Sequence, residues 1–216
     1  MPSIADCKHD DYTRIYVQDF GAQRAHTVAF FPMPDASKLS PKTIPLRPTQ
    51  ILRAEHRQID EQLNVLSAAL RQLGDRGPAP EILDRIESVA GYIDGEMAIH
   101  HQKEEDCLFP LLREFFTPEN LRIDARIADH EDLNIMNTKF KEALGECRQI
   151  ESGKRATFAA QMLKGYGLYI VHLIREHLLK EDHILFLVAE EYLTADQEAE
   201  ILDRFAAIEE TGDKPS

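Results

Sequence analysis

Two stretches of the chain repeat one polar pattern. His100-His101-Gln102-Lys103-Glu104-Glu105-Asp106-Cys107-Leu108-Phe109 and His177-Leu178-Leu179-Lys180-Glu181-Asp182-His183-Ile184-Leu185-Phe186 both read H-x-x-K-E-[ED]-x-x-L-F. A spacing of four puts His100 with Glu104, and His177 with Glu181, on one helix face a turn apart. That face is otherwise apolar. Around His100 it carries Ile93, Met97, Leu108 and Leu111, and around His177 it carries Ile170, Leu173, Ile174, Ile184, Leu185 and Val188. Imidazole and carboxylate without thiolate suit iron, manganese or zinc better than copper(I) or an iron–sulfur cluster.

A weaker echo precedes each unit. Glu55-His56 is followed by Ile59, and Asp129-His130 by Leu133; His100 lies 44 residues after His56, and His177 lies 47 after His130. Each half of the chain therefore supplies one histidine and then one His-x-x-x-Glu unit. Four histidines and two glutamates are aimed at an interior, where a charge is costly unless paired or bound to a metal. At about 1.5 Å rise per residue, the four histidines fall in one layer, to within about one helical turn. Two glutamates from diagonally related helices can bridge two metal ions, as in carboxylate-rich bundles that hold di-iron or di-manganese pairs.

The elements that must position these groups are helices. Thr49 is placed to cap a first helix reaching about Leu73, with Leu52, Ile59, Leu63, Leu66 and Leu70 on one stripe. The run Gly74 to Pro80 separates it from a second helix ending near Phe116, and Thr117-Pro118 reads as the cap and first-turn proline of a third. Ser152-Gly153 breaks that helix, a fourth spans about Arg155 to Glu190, and Thr194 with Gln197 forms a capping-box pattern for a short fifth. Short connections force neighbours antiparallel. The expected fold is all-α: an up-down-up-down four-helix bundle over 48–192, with a short C-terminal helix and tail over 193–216. Residues 1–47 are punctuated by Pro32, Pro34, Pro41 and Pro45 and read as an extended arm or lid.

Composition narrows the classes. The 216 residues are 43% hydrophobic and 29% charged, with a formal net charge of -13. A chain that acidic repels phosphate backbones and argues against nucleic-acid binding. No segment resembles a signal peptide or a transmembrane span, which leads to the expectation of a cytoplasmic protein without a membrane partner. Cys7, Cys107 and Cys147 are too far apart for a CxxC site. Cys107 reads as a small core residue.

The run His100 to Pro110, H-x-x-K-E-E-x-x-L-F-P, resembles the signature of the hemerythrin-like (HHE cation-binding) family, and the resemblance extends over about residues 49–190. It implies a non-haem di-iron site with two bridging carboxylates and usually an oxo or hydroxo group. It implies chemistry with oxygen, nitric oxide or peroxide, or alternatively a role as an iron- or oxygen-responsive regulatory module whose metal occupancy controls a partner interaction. The metal ligands it carries over are His56, His100, Glu104, His130, His177 and Glu181, with manganese and zinc as alternative ions. Respiratory members place a second histidine four residues after the one on helix 3; here Asn134 stands there, implying a vacant or water-filled site on one iron. They also use an aspartate where Asp182 stands, although the internal repeat favours Glu181. Relatives that repair iron–sulfur clusters carry paired N-terminal cysteines, against the single Cys7 here. Whether a substrate is turned over, and whether the chain dimerises, stay open.

Other notable residues take ordinary readings. His101, which could serve as a ligand with Glu105, is assigned a supporting or surface position because its stripe meets Asp94. His9, His26, His172 and His183 read as structural or surface histidines. Tyr92 and Tyr169 read as core residues with bonded hydroxyls. Lys103 and Lys180 are expected to face solvent or pair with nearby acids.

Overall fold

The computed structural model describes residues 46–73, 79–117, 121–150 and 153–212. The arm expected over 1–47 and the proline of the Thr117-Pro118 cap lie outside the described residues, Leu46, Arg47 and Thr117 apart. Among the described residues the chain is helical, without strands. In chain order the helices are α1 (Pro48–Arg71), α2 (Pro80–Asp94), α3 (Glu96–Lys103), α4 (Phe109–Phe115), α5 (Ile123–Gln149), α6 (Lys154–Lys180), α7 (Phe186–Tyr192) and α8 (Ala195–Gly212). A π-helical turn, Glu104–Leu108, joins α3 to α4, and a second, Glu181–Leu185, joins α6 to α7. α1 packs on α2 and α6, and α5 packs on α2 and α6, so four helical rods enclose a common interior. No helix among the described residues is long and apolar enough to cross a membrane.

The helix ends follow local chemistry, with one departure. Thr49 does not cap α1. It sits in the first turn and donates its hydroxyl to Glu190 at 2.9 Å, while Arg47 is the cap and its backbone N–H donates to Gln50 Oε1 at 2.9 Å. Proline at the first position explains the shift, since its missing N–H costs nothing there. The expected box at α8 is present: Gln197 N–H donates to Thr194 Oγ1 at 3.3 Å, and Thr194 N–H donates to Gln197 Oε1 at 3.0 Å. Gly153 begins α6 at φ 95°, in the left-handed region that favours glycine.

Two apolar clusters fill the interior. One gathers Ile59, Leu63, Leu66 and Leu70 with Ile93, Met97, Leu133, Phe140, Ile170 and Ile174. The other gathers Leu52, Leu108, Phe109, Ile123, Leu185 and Phe186 with Ile201 and Phe205 of α8. Each fully buried leucine or phenylalanine contributes about 1.5–3 kcal/mol. On every rod the boundary between the clusters falls at the polar positions: His56, His100 to Glu104, His130, and His177 to Glu181. The fold thus dedicates one internal layer to groups that a core ordinarily rejects.

The fifth helix breaks the symmetry of the repeat. α8 packs on α3 and the first π-helical turn, covering Lys103 and Cys107, which are 2% and 0% exposed. Their repeat partners Lys180 and Ile184 lie at the surface. Ile184, expected on the buried stripe, is 51% exposed. Each π turn takes more than the usual 3.6 residues, so a stripe extrapolated at α-helical period drifts off the core beyond Glu181. Tyr169, expected in the core, is 48% exposed, whereas Tyr92 is half-buried against the first cluster.

Candidate metal centre

The six residues singled out by the repeat come together. His56, His100, Glu104, His130, His177 and Glu181 are each at most 4% exposed. The histidines form two facing pairs. Nε2 of His56 lies 3.1 Å from Nε2 of His100, and Nε2 of His130 lies 3.0 Å from Nε2 of His177. The glutamates span both pairs. Glu104 places Oε1 3.5 Å from His100 Nε2 and Oε2 3.5 Å from His130 Nε2. Glu181 Oε2 lies 3.0 Å from His177 Nε2 and 3.6 Å from His56 Nε2. His56, His100, Glu104 and Glu181 form one group with metal-ligand spacing, and Glu104, His130, His177 and Glu181 form another, sharing both carboxylates.

The outer ring nitrogens show why the inner ones face each other. His100 Nδ1 is 2.8 Å from Glu55, His130 Nδ1 is 2.5 Å from Glu105, and His56 Nδ1 is 3.1 Å from Asp182. His177 Nδ1 faces Asp129 at 3.5 Å, an ion-pair distance without a hydrogen bond. Every acid belongs to the rod before the histidine it holds, so the four contacts run once around the bundle: α1 to α3, the first π turn to α5, α5 to α6, and the second π turn to α1. A carboxylate accepting Nδ1–H fixes the tautomer and leaves Nε2 with a lone pair. Two lone pairs at 3.0–3.1 Å repel unless a cation lies within reach of both. For a metal–nitrogen bond of about 2.1 Å, a right angle at the ion separates two donors by about 3.0 Å.

The carboxylates are equally unfinished. Both oxygens of Glu104 and both of Glu181 are buried without a hydrogen-bond partner, a condition rare in folded proteins unless an ion or water is involved. The donor set therefore fits a pair of hard-to-borderline cations. Without them the electrostatics are strained in a definite way. Burial and the neighbouring Glu181 push the Glu104 carboxyl well up. Burial would raise Glu181 too, but the charge of His177 outweighs it and holds Glu181 at about 2. Burial likewise opposes the charge on His177, yet Glu181 and Asp129 lift it to about 9. Burial lowers His100 and His130. Protons thus stand in for the positive charge that the layer is built to hold.

Several residues outside the sequence-derived set matter. Glu55, Glu105, Asp129 and Asp182 orient the histidines; each is an acid next to a site residue in sequence, and that adjacency was the available signal. Asp182, weighed against Glu181 as an inner residue, instead holds His56 and pairs with Arg53 at 3.1 Å. Asn134 is exposed and contributes nothing to the layer. His101 is 6% exposed and stacks on His130 with ring centroids 3.7 Å apart, so it is a supporting residue rather than a surface one. Lys103 pairs with Glu55 at 2.5 Å and Glu209 at 2.6 Å, as expected of a lysine near acids, although it is buried. His172 and His183 lie at the surface; His9 and His26 lie outside the described residues.

No curated protein matches the chain. The model of the hemerythrin HHE cation binding domain matches residues 47–209, a span that takes in both histidine pairs, both glutamates and most of α8. The chain belongs to the hemerythrin HHE cation-binding domain family.

Proposed function

We propose that the protein holds a non-haem di-iron centre that binds or reacts with a small ligand: oxygen, nitric oxide or peroxide. His56 and His100 hold one ion, His130 and His177 hold the other, and Glu104 and Glu181 bridge them. One observation carries this reading. Two imidazole pairs face each other through Nε2 at 3.0–3.1 Å, each outer nitrogen faces a carboxylate, and four buried glutamate oxygens have no partner. Bound iron would supply a redox-active Lewis acid to the ligand. The chain's own contribution is to hold neutral imidazoles at fixed orientation, to offset the ions with two carboxylates, and to limit water with an apolar cluster on either side. The same reading takes the rods as an up-down-up-down bundle over 48–192, with 193–216 appended and 1–47 as an arm or lid, in a cytoplasmic protein.

The test is metal analysis of protein purified from cells grown without added metal, repeated on His100→Ala, His177→Ala and His183→Ala. About two irons per chain are expected in the native protein and in His183→Ala, with sharp losses in the other two variants. Near-ultraviolet absorption that changes on adding oxygen or hydrogen peroxide supports the ligand chemistry. Zinc in place of iron would remove the redox part, manganese would overturn the iron assignment alone, and no stoichiometric metal would sink the whole reading.

A further inference from the structure

Among the positions where the duplicated halves differ, one beside the layer exchanges an apolar for a polar side chain. Leu178 follows His177, whereas His101 follows His100. Both side chains are buried, at 6% exposure each. The fold therefore accepts an apolar residue at this place, and a histidine there serves something other than packing. His101 Nε2 has no hydrogen-bond partner, a condition uncommon in folded proteins and costly to a buried polar atom. Together with Asp129, His130, His177, Leu133 and Ile174 it lines a small, largely enclosed cavity of about 10 Å³, in which Asp129 Oδ2 and His177 Nδ1 are also without hydrogen-bond partners. That is about the room of one water-sized guest.

His101 stands close enough to His130 and His177 to complete a three-histidine group, but ring geometry argues against a shared ion. His101 and His130 lie nearly parallel, at 10°, with centroids 3.7 Å apart. An imidazole binds an ion through a lone pair in its own plane, and two parallel planes at that separation do not converge on one point. We infer that His101 is an uncoordinated hydrogen-bonding partner for the small ligand, and that the ligand binds on the His130–His177 side of the centre. The His56–His100 side carries the apolar Leu178 at the matching repeat position. This rests on the di-metal reading given above.

The experiment uses the iron-loaded full chain with fluoride as the probe, a single-atom acceptor that suits the cavity. Metal content is measured beside a fluoride titration followed by absorption. His101→Leu restores the residue that the other half already carries, and His101→Gln keeps a hydrogen-bonding group. Native protein and both variants are expected to hold the same metal. Fluoride binding weakens roughly tenfold in His101→Leu, the usual worth of one hydrogen bond to a charged group, and recovers in part in His101→Gln. Unchanged fluoride affinity in loaded His101→Leu overturns the proposal. So does loss of one ion from that variant, because His101 would then be a ligand. Absence of metal from the native chain takes down the di-metal reading as well, whereas unchanged fluoride binding takes down this proposal alone.

Discussion

Replacing Glu104 by glutamine should change stability in opposite directions with and without metal. The side chain is 0% exposed, both its oxygens lack partners, and burial beside Glu181 pushes its carboxyl up. In the metal-free chain an amide of nearly the same shape removes one of two crowded carboxyls and can donate to the Glu181 carboxylate. A hydrogen bond to a charged group contributes about 1.5–3 kcal/mol, so metal-free Glu104→Gln should be at least as stable as the native chain and up to about 2 kcal/mol more so. In the loaded protein the same change removes an anionic group that spans both histidine pairs. A hundredfold loss of affinity lowers metal-linked stabilisation by about 2.7 kcal/mol. The assay is denaturant unfolding at pH 7 of both proteins, in chelator and at a fixed excess of free metal. Equal destabilisation under both conditions would refute the argument, because Glu104 would then act as an ordinary structural residue.

Metal affinity should rise about tenfold from pH 7 to pH 8, because His177, held at about 9, must release its proton to an ion; titrations at the two pH values check this, and equal affinities refute it. The His177–Glu181 pair also makes metal-free stability pH-dependent. The raised histidine contributes fully below about 6.5 and fades as pH rises through 9, and the lowered carboxylate contributes above about 4.5 and fades as pH falls through 2. For the pair this is worth about 3 kcal/mol, readable from unfolding in chelator at pH 6 and pH 9.5. Lys103→Ala should cost about 3 kcal/mol, since it leaves partly buried Glu55 without its cation, while Lys180→Ala at the matching position stays within about 0.5 kcal/mol; thermal melts decide. Gly167→Ala should destabilise by about 1–3 kcal/mol, because a Cβ there meets Leu70 at 2.6 Å and Phe140 at 2.9 Å. Gly165→Ala meets nothing within 4 Å and should stabilise by up to about 1 kcal/mol through helix propensity alone; the two melting curves should move in opposite directions.

The duplicated motif made the inner layer legible. A repeat in types and spacing restricts which faces converge, and helix geometry does the rest for His56, His100, Glu104, His130, His177 and Glu181. What the sequence left hidden has particular causes. Ile184 was misplaced because a single α-helical period was carried through a segment that relaxes to a π turn. His101 was set aside because its stripe meets Asp94, yet Asp94 faces Asn137 and Lys141 on α5, leaving His101 to stack beneath His130. The burial of Lys103 depends on α8, an element outside the repeat, and no comparison of the two halves could reveal which half it covers. Thr49 was misread because proline at position 48 moved the start of the helix back.

The acids around the layer explain why the two halves are needed together. Glu55 and Asp129 each precede a site histidine in sequence, but each faces the histidine of the next rod; Glu105 and Asp182 follow a site glutamate and again face the next rod. No rod orients its own histidine. A single half, rods one and two, would hold His100 through Glu55 but leave His56 without Asp182, and Glu105 without His130. Closure around the ring requires the fourth rod to return to the first, and only then does every outer nitrogen face a carboxylate, three of them in hydrogen bonds and His177 at 3.5 Å. The arrangement links the four rods: loss of one acid releases one ring, and with it one nitrogen of the pair to which that ring belongs. Asp182→Asn should therefore weaken metal binding at His56 by the 10- to 100-fold typical of such supporting groups, although the side chain touches no position an ion would take. Metal titration of that variant against Asp106→Asn, an acid of the same motif placed outside the ring, tests it. Equal affinities would show that ring closure does not set the site.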